Sequence, residues 1–256
     1  MPTGFIYTVA TVESNYLQAS PRSVPVWSAS LNRLVFGPCK VPIRRKLRVG
    51  DYLFGISPGR TQPRRIVFAA RIAERVTYRE AYDRWPELRG PEGPIHVEPV
   101  HRTGLPYPAR DYSFIPGSIH EDRWQRDLAT PQLDAFFLCE PAETVLGRWL
   151  GPAGPEVAGA VLDFLRGCRV HGQTGLLSEA NASATARTPI RHGRLFTGLH
   201  LETDRPESLV ELLGPGINLV PMERYRPAQP RPAAIAASRS NDPRRGLTRP
   251  RAGGCR

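Results

Sequence analysis

Residues 39–59, Cys-Lys-Val-Pro-Ile-Arg-Arg-Lys-Leu-Arg-Val-Gly-Asp-Tyr-Leu-Phe-Gly-Ile-Ser-Pro-Gly, constrain the fold more than any other stretch. Five cations come first: Lys40, Arg44, Arg45, Lys46 and Arg48. They run into Gly50-Asp51, a turn pair, and then into the apolar segment Tyr52-Leu53-Phe54-Gly55-Ile56, which Ser57-Pro58-Gly59 stops. Cations stay in water and an apolar, aromatic-rich run is buried. The turn between them therefore belongs at the rim of a barrel that meets phosphate. A second apolar run, residues 65–76, follows a connector rich in Pro and Arg, so the two runs read as a hairpin with a long basic loop.

The rest of the chain supplies more strands around this hairpin. Residues 5–12 (Phe-Ile-Tyr-Thr-Val-Ala-Thr-Val), 111–115, 134–139 and 194–201 read as strands, and Leu34-Val35-Phe36 is a short apolar run ended by Gly37-Pro38. Thr77-Tyr-Arg-Glu80 is a capping box, and Tyr78, Tyr82 and Trp85 fall at i, i+4 and i+7 on one helical face, to pack against the sheet. Further helices are expected over 121–128, 142–150, 155–166 and 206–213, irregular chain over 89–111, an exposed loop over 171–192, and a long loop holding Trp27 either as a plug beneath it or as a stacking surface. The fold class is α+β: a small, strongly curved β-barrel with peripheral helices, over residues 1–222. Residues 223–256 read as a disordered tail, because Pro, Ala, Arg and Ser without periodicity cannot offset the entropy of ordering. Eight arginines against one acid in residues 226–256 place +7 of the total +11 there, so the domain itself is mildly basic.

Several chemistries lose support at once. Gly55-Ile-Ser57-Pro-Gly59 has the spacing of a nucleophile elbow, but the residue after that serine must donate its N–H to the oxyanion, and Pro58 has none. Cys39, Cys139, Cys168 and Cys255 are scattered with no Cys-x-x-Cys pair, so they read as reduced thiols rather than as a metal or disulfide framework. His96 and His101 are separated by Pro99, which denies them one helix face, and no zinc site is expected. No phosphate loop or dinucleotide fingerprint occurs, and no cofactor is expected. No apolar run is long enough to span a bilayer, and the chain reads as cytoplasmic and without a membrane partner.

Cations beside aromatics remain. Lys40, Arg44, Arg45 and Lys46 would hold phosphates, while Trp27 and Tyr52 would line a pocket for one base. The order of these features, a basic run, Val-Gly-Asp-Tyr-Leu-Phe-Gly, a loop, Arg-Ile-Val-Phe-Ala-Ala-Arg-Ile, a capped helix and Asp111-Tyr112, resembles the nucleotide modification associated domains of the PUA-like, EVE-like superfamily. The likeness is clearest over residues 5–90. It implies a PUA-like barrel and a non-catalytic module that binds nucleic acid, DNA favoured over RNA, or a modified nucleotide, with Tyr112 and Asp111 joining Trp27 and Tyr52 in the base pocket. The alternative is an enzyme of modified-nucleotide metabolism working through His96, His101, His120 or Asp111.

Overall fold

The structure, a computed structural model, describes residues 1–9, 25–37, 40–57, 63–90, 93–100, 108–117, 124–141, 146–172, 190–191, 194–195 and 199–214. The expected tail and the domain boundary near 222 lie outside the described residues, as do His101, His120, Cys39, Cys255 and the serine-elbow residues Pro58 and Gly59. The chain is α+β, with most of its core built on one sheet.

The strands in chain order are β1 (Gly4–Thr8), β2 (Val26–Ser28), β3 (Arg33–Phe36), β4 (Tyr52–Ile56), β5 (Ile66–Val76), β6 (Val97–Pro99), β7 (Tyr112–Phe114), β8 (Phe136–Pro141), β9 (Arg148–Trp149), β10 (Arg169–Gly172), β11 (Ile190–Arg191), β12 (Arg194–Leu195) and β13 (Leu199–Thr203). The helices are α1 (Val41–Arg44), α2 (Tyr78–Arg84), α3 (Trp124–Asp127), α4 (Gly159–Arg166) and α5 (Pro206–Leu213). The main sheet runs β10-β13-β1-β4-β5-β8-β3-β2, with β9 added to β5, while β6 with β7 and β11 with β12 form separate ladders. β1 and β4 are parallel, and the other pairings in the main sheet are antiparallel.

The hairpin expected from the two apolar runs is β4–β5, in register from Tyr52↔Arg71 to Ile56↔Ile66. β5 is long enough to serve two neighbours. Its first half pairs with β4 and β9, and its second half with β8, where Val76 faces Phe136. Bulges at Gly55/Ile56 and between Ile72 and Glu74 bend it. Gly55 leaves room for this bend, since a Cβ there would run into the Phe68 ring.

The bent sheet wraps around one apolar cluster: Phe5, Tyr7, Phe36, Leu53, Phe68, Phe137 and Trp149, closed at one end by Ile43 and Leu47 beside α1. Among the described residues the ladder does not join end to end, so the expected closed barrel is replaced by an open, curled sheet. Its interior is filled. Tyr7 lies 5.8 Å from Phe68 and Phe36 lies 6.2 Å from Phe137, centroid to centroid. A second cluster covers the opposite face of β1, β4 and β13 with α4 and α5 (Ile6, Phe54, Val161, Leu165, Leu201, Leu209). A third packs α2 on the outer face of β3 and β8 through Tyr78, Trp85, Val35 and Phe136, with Tyr82 alongside. The expected aromatic face of α2 lies in that cluster.

The capping box forms as read: the Thr77 hydroxyl accepts from the Glu80 N–H, and the Glu80 carboxylate accepts from the Thr77 N–H at 2.7 Å. Trp27, expected in a loop, lies in β2 opposite Leu34. The helix expected over 142–150 is overturned in its second half, where Arg148–Trp149 is a strand held by Phe68 and Ala69. A two-residue strand is too short to show alternation, so the sequence carries no period for it. The basic run itself begins as α1, a single turn.

Asp51 ties the basic turn to the sheet. Its carboxylate accepts from the Thr3 N–H and the Arg48 N–H, both at 2.8 Å, and its own carbonyl accepts from the Ile72 N–H. Gly50 takes a left-handed φ of 91°, which a side chain would strain, and donates to the Ile72 carbonyl. Asp51→Ala leaves two backbone donors without their acceptor and is expected to cost about 2–3 kcal/mol in urea unfolding. An unchanged midpoint would refute this role.

Candidate functional site

The site begins with the two lysines, the only ones in the chain. Lys40 caps α1 at φ 60°, a left-handed conformation rare for a residue with a side chain, and its ammonium stands 5.2 Å from the centroid of the Tyr7 ring. Lys46 follows α1 and its ammonium lies 2.6 Å from Glu202 Oε1. The same oxygen is 3.0 Å from His200 Nε2, which as the neighbour of a carboxylate donates its N–H. The imidazole and carboxylate are nearly buried, at 4% and 8% side-chain exposure, whereas Lys46 is 46% exposed.

β13 sets this up by alternation. In Leu199-His-Leu-Glu-Thr203, Leu201 faces the second cluster, so His200 and Glu202 share the other face. Register then places Tyr7 opposite His200 and Phe5 opposite Glu202 on β1, and His171 opposite His200 and Arg169 opposite Glu202 on β10. The Phe5 and His200 rings lie 6.3 Å apart. Neither His200 nor Glu202 is among the residues expected from the sequence. Their signal is a two-residue alternation of Leu with His and Glu, and nothing local ties it to Lys46, 156 positions away.

The exposed edge of the site is formed by Arg45 and Arg48, with Val49 at 59% exposure between Arg48 and the Gly50 turn. Neither guanidinium forms an ion pair with a described residue. Arg44, expected to reach phosphate with them, does not. It is 1% exposed and turns inward, donating to the carbonyls of Asp127 (3.2 Å), Leu133 and Ala135 (3.3 Å), with its guanidinium 5.6 Å from the Tyr78 ring. On a single helical turn, adjacent residues point about 100° apart, so Arg44 and Arg45 cannot both face water once Ile43 and Leu47 are buried.

The expected base pocket is not assembled. Trp27 leans on the first cluster, Tyr52 belongs to the second and Tyr112 to the third. Tyr52 stacks on Phe54 and carries Arg71 over its ring at 5.5 Å, and burial raises its phenol above the ordinary value. Tyr112 donates to Asp134 at 2.9 Å and accepts from the Arg79 N–H at 3.0 Å, so it braces the framework. Asp111 is half-buried, 3.5 Å from Arg110 Nε. The enzyme alternative loses His96, which is buried between Tyr78 and Phe114 with Nδ1 3.3 Å from the Pro94 carbonyl.

Cys139 and Cys168 are buried free thiols, and burial pushes them up to about 12 and about 11. Among the described residues no group of three His, Cys, Asp or Glu side chains is placed to hold a metal ion, and no helix is long and apolar enough to cross a membrane. No protein-family model, curated protein or solved structure matches the chain.

Proposed function

We propose that this chain is a non-catalytic nucleic-acid-binding module that grips phosphate groups with the rim formed by Lys40, Arg45, Lys46 and Arg48. One observation carries the reading: Arg45 and Arg48 stand exposed on the same turn, with no acid of the described residues paired to them, beside a lysine that is half exposed. Cations placed this way neutralise backbone phosphates without reading bases. α1 has four residues, too short to lie along a major groove, and the aromatic rings near it are packed inside. Both features favour backbone binding over base recognition. Kinship with the nucleotide modification associated domains, the PUA-like form of the sheet, the preference for DNA and a role beside base modification are part of the proposal. Their support is the order of segments over residues 5–90.

Arg45→Ala with Arg48→Ala tests it on the full chain. Fluorescence anisotropy with a short oligothymidylate at several salt concentrations is expected to show weaker binding. The slope of log affinity against log salt should become shallower by about 1.4, which is ~0.7 for each phosphate of a single strand that is no longer neutralised. The same affinity and slope in a folded double variant would overturn the rim. A second reading, an enzyme of modified-nucleotide metabolism, is favoured by the His200–Glu202 hydrogen bond alone, since a carboxylate-oriented imidazole is a common acid–base device. Turnover of a nucleotide by the wild type that disappears in His200→Gln would decide for it.

A further inference from the structure

We propose that the cleft between the α4–β10 and β13–α5 turns is a second phosphate subsite, and that one nucleic-acid strand bridges it and the basic rim. The inference rests on the rim reading and adds the place where a further phosphate of the same strand is held.

The cleft has a volume of about 130 Å³, room for one tetrahedral phosphate, and opens to solvent. Arg169 at the start of β10 and Arg205 just after β13 line it. Both are exposed, and neither forms an ion pair with a described residue. The Arg205 N–H donates to the Thr203 hydroxyl oxygen at 3.1 Å, which fixes the turn that carries Arg205. Two carboxylates share the lining, and they decide which sign of ligand fits. Glu202 is already bonded to Lys46 at 2.6 Å and to His200 at 3.0 Å. Asp204 is exposed and sets one charge against two. The charge left to a ligand is therefore positive, and a guanidinium offers a phosphate two parallel N–H donors. Cys168 also lines the cleft. Its thiol donates to the Phe164 carbonyl at 3.4 Å, and burial pushes it up to about 11, so it stays protonated and the cleft binds without reacting.

Strand order puts this cleft beside the rim. Thr203 pairs with Gly4 on β1, Gly4 pairs with Tyr52 on β4, and the Thr3 N–H donates to Asp51. Arg169 stands opposite Glu202. The rim turn, the end of β13 and the start of β10 therefore lie along one end of the sheet, where neighbouring strands are about 4.8 Å apart. Glu202 is the wall between the two sites: it lines the cleft, and its carboxylate holds Lys46. Lys46 thus links the cations of the rim to those of the cleft, and successive phosphates of a single strand follow that line.

The test uses the full chain and an oligothymidylate long enough to carry several phosphates. In Arg169→Ala with Arg205→Ala, the slope of log affinity against log salt is expected to become shallower by ~0.7, the amount for one single-strand phosphate. Arg169→Lys with Arg205→Lys is expected to keep the wild-type slope, because the slope counts charge, whereas a purely structural loss would not be rescued. In amide NMR spectra of the wild type, which need no variant, the signals of Arg169, Asp204 and Arg205 are expected to shift as the oligothymidylate is added. Unshifted signals, or an unchanged slope in the folded alanine variant, would overturn the subsite and leave the rim standing. Shifts caused by inorganic phosphate but not by the oligothymidylate would make the cleft a site for free phosphate and refute the bridge. A slope that depends on Arg169 and Arg205 but not on Arg45 and Arg48 would sink the rim reading and the bridge with it, as would a wild type that binds no oligothymidylate.

Discussion

Arg44→Ala is expected to destabilise the protein by about 3–5 kcal/mol, the largest loss of any single substitution in the basic run. The residue is buried and its fork donates to three carbonyls, those of Asp127, Leu133 and Ala135. Those carbonyls close the end of α3 and the turn that enters β8, so one side chain pins α1 to two other segments. Alanine leaves the carbonyls without these donors and a void the size of a guanidinium. Lysine keeps the charge but offers a single ammonium where a planar fork is needed, so Arg44→Lys is expected to recover only part of the loss. Urea unfolding measures both. The same pair of variants separates two roles. If folded Arg44→Lys keeps wild-type stability but loses oligonucleotide affinity, the residue works on the ligand and its anchoring role is refuted.

Asp134→Ala comes next, at about 3 kcal/mol. Its carboxylate accepts from the Tyr112 hydroxyl and from the Tyr78 N–H, both at 2.9 Å, which holds the start of α2 and β7 against the sheet. Asp134→Asn keeps an acceptor oxygen and is expected to lose less, ~1 kcal/mol. The pH dependence has a definite sign. Burial raises the Asp134 carboxyl above its ordinary value, against the opposing bonds from Tyr78 and Tyr112 and the nearby charge of Arg44. A carboxyl raised on folding holds its proton more tightly in the native state. It therefore favours the fold while protonated, and this contribution is lost as pH rises from the ordinary aspartate range through the raised value. The stability difference between wild type and Asp134→Asn should fall over that window and stay level above it. A difference that grows with pH would contradict the role given to burial. Burial, and then the Asp134 charge, also push the Tyr112 phenol far up, so this hydroxyl remains a donor at any pH at which the protein is handled.

Local chemistry is legible where one element suffices to express it. The β4–β5 hairpin, the capping box of α2, the aromatic stripe of Tyr78, Tyr82 and Trp85, and the helix over Pro206–Leu213 all follow from composition and period. Charge alone leads one to expect Arg45 and Lys46 in water, and both are exposed. The departures share a cause. Arg44 carries the same charge as Arg45, but which of two neighbours faces water depends on what lies beneath the turn, and three carbonyls lie there. Trp27, Tyr52 and Tyr112 are alike in type, and residue type says nothing of which face each strand presents.

The sequence by itself therefore determined a mixed fold, its central hairpin and a basic turn at that hairpin's edge, because periodicity, capping and desolvation act within a few residues. Only the tertiary structure decided that the sheet curls around a filled core, that the three aromatics go to three separate clusters and that His200, Glu202 and Lys46 meet. Those outcomes are set by strand order and register, which bring residues from opposite ends of the chain together, and no local pattern encodes them.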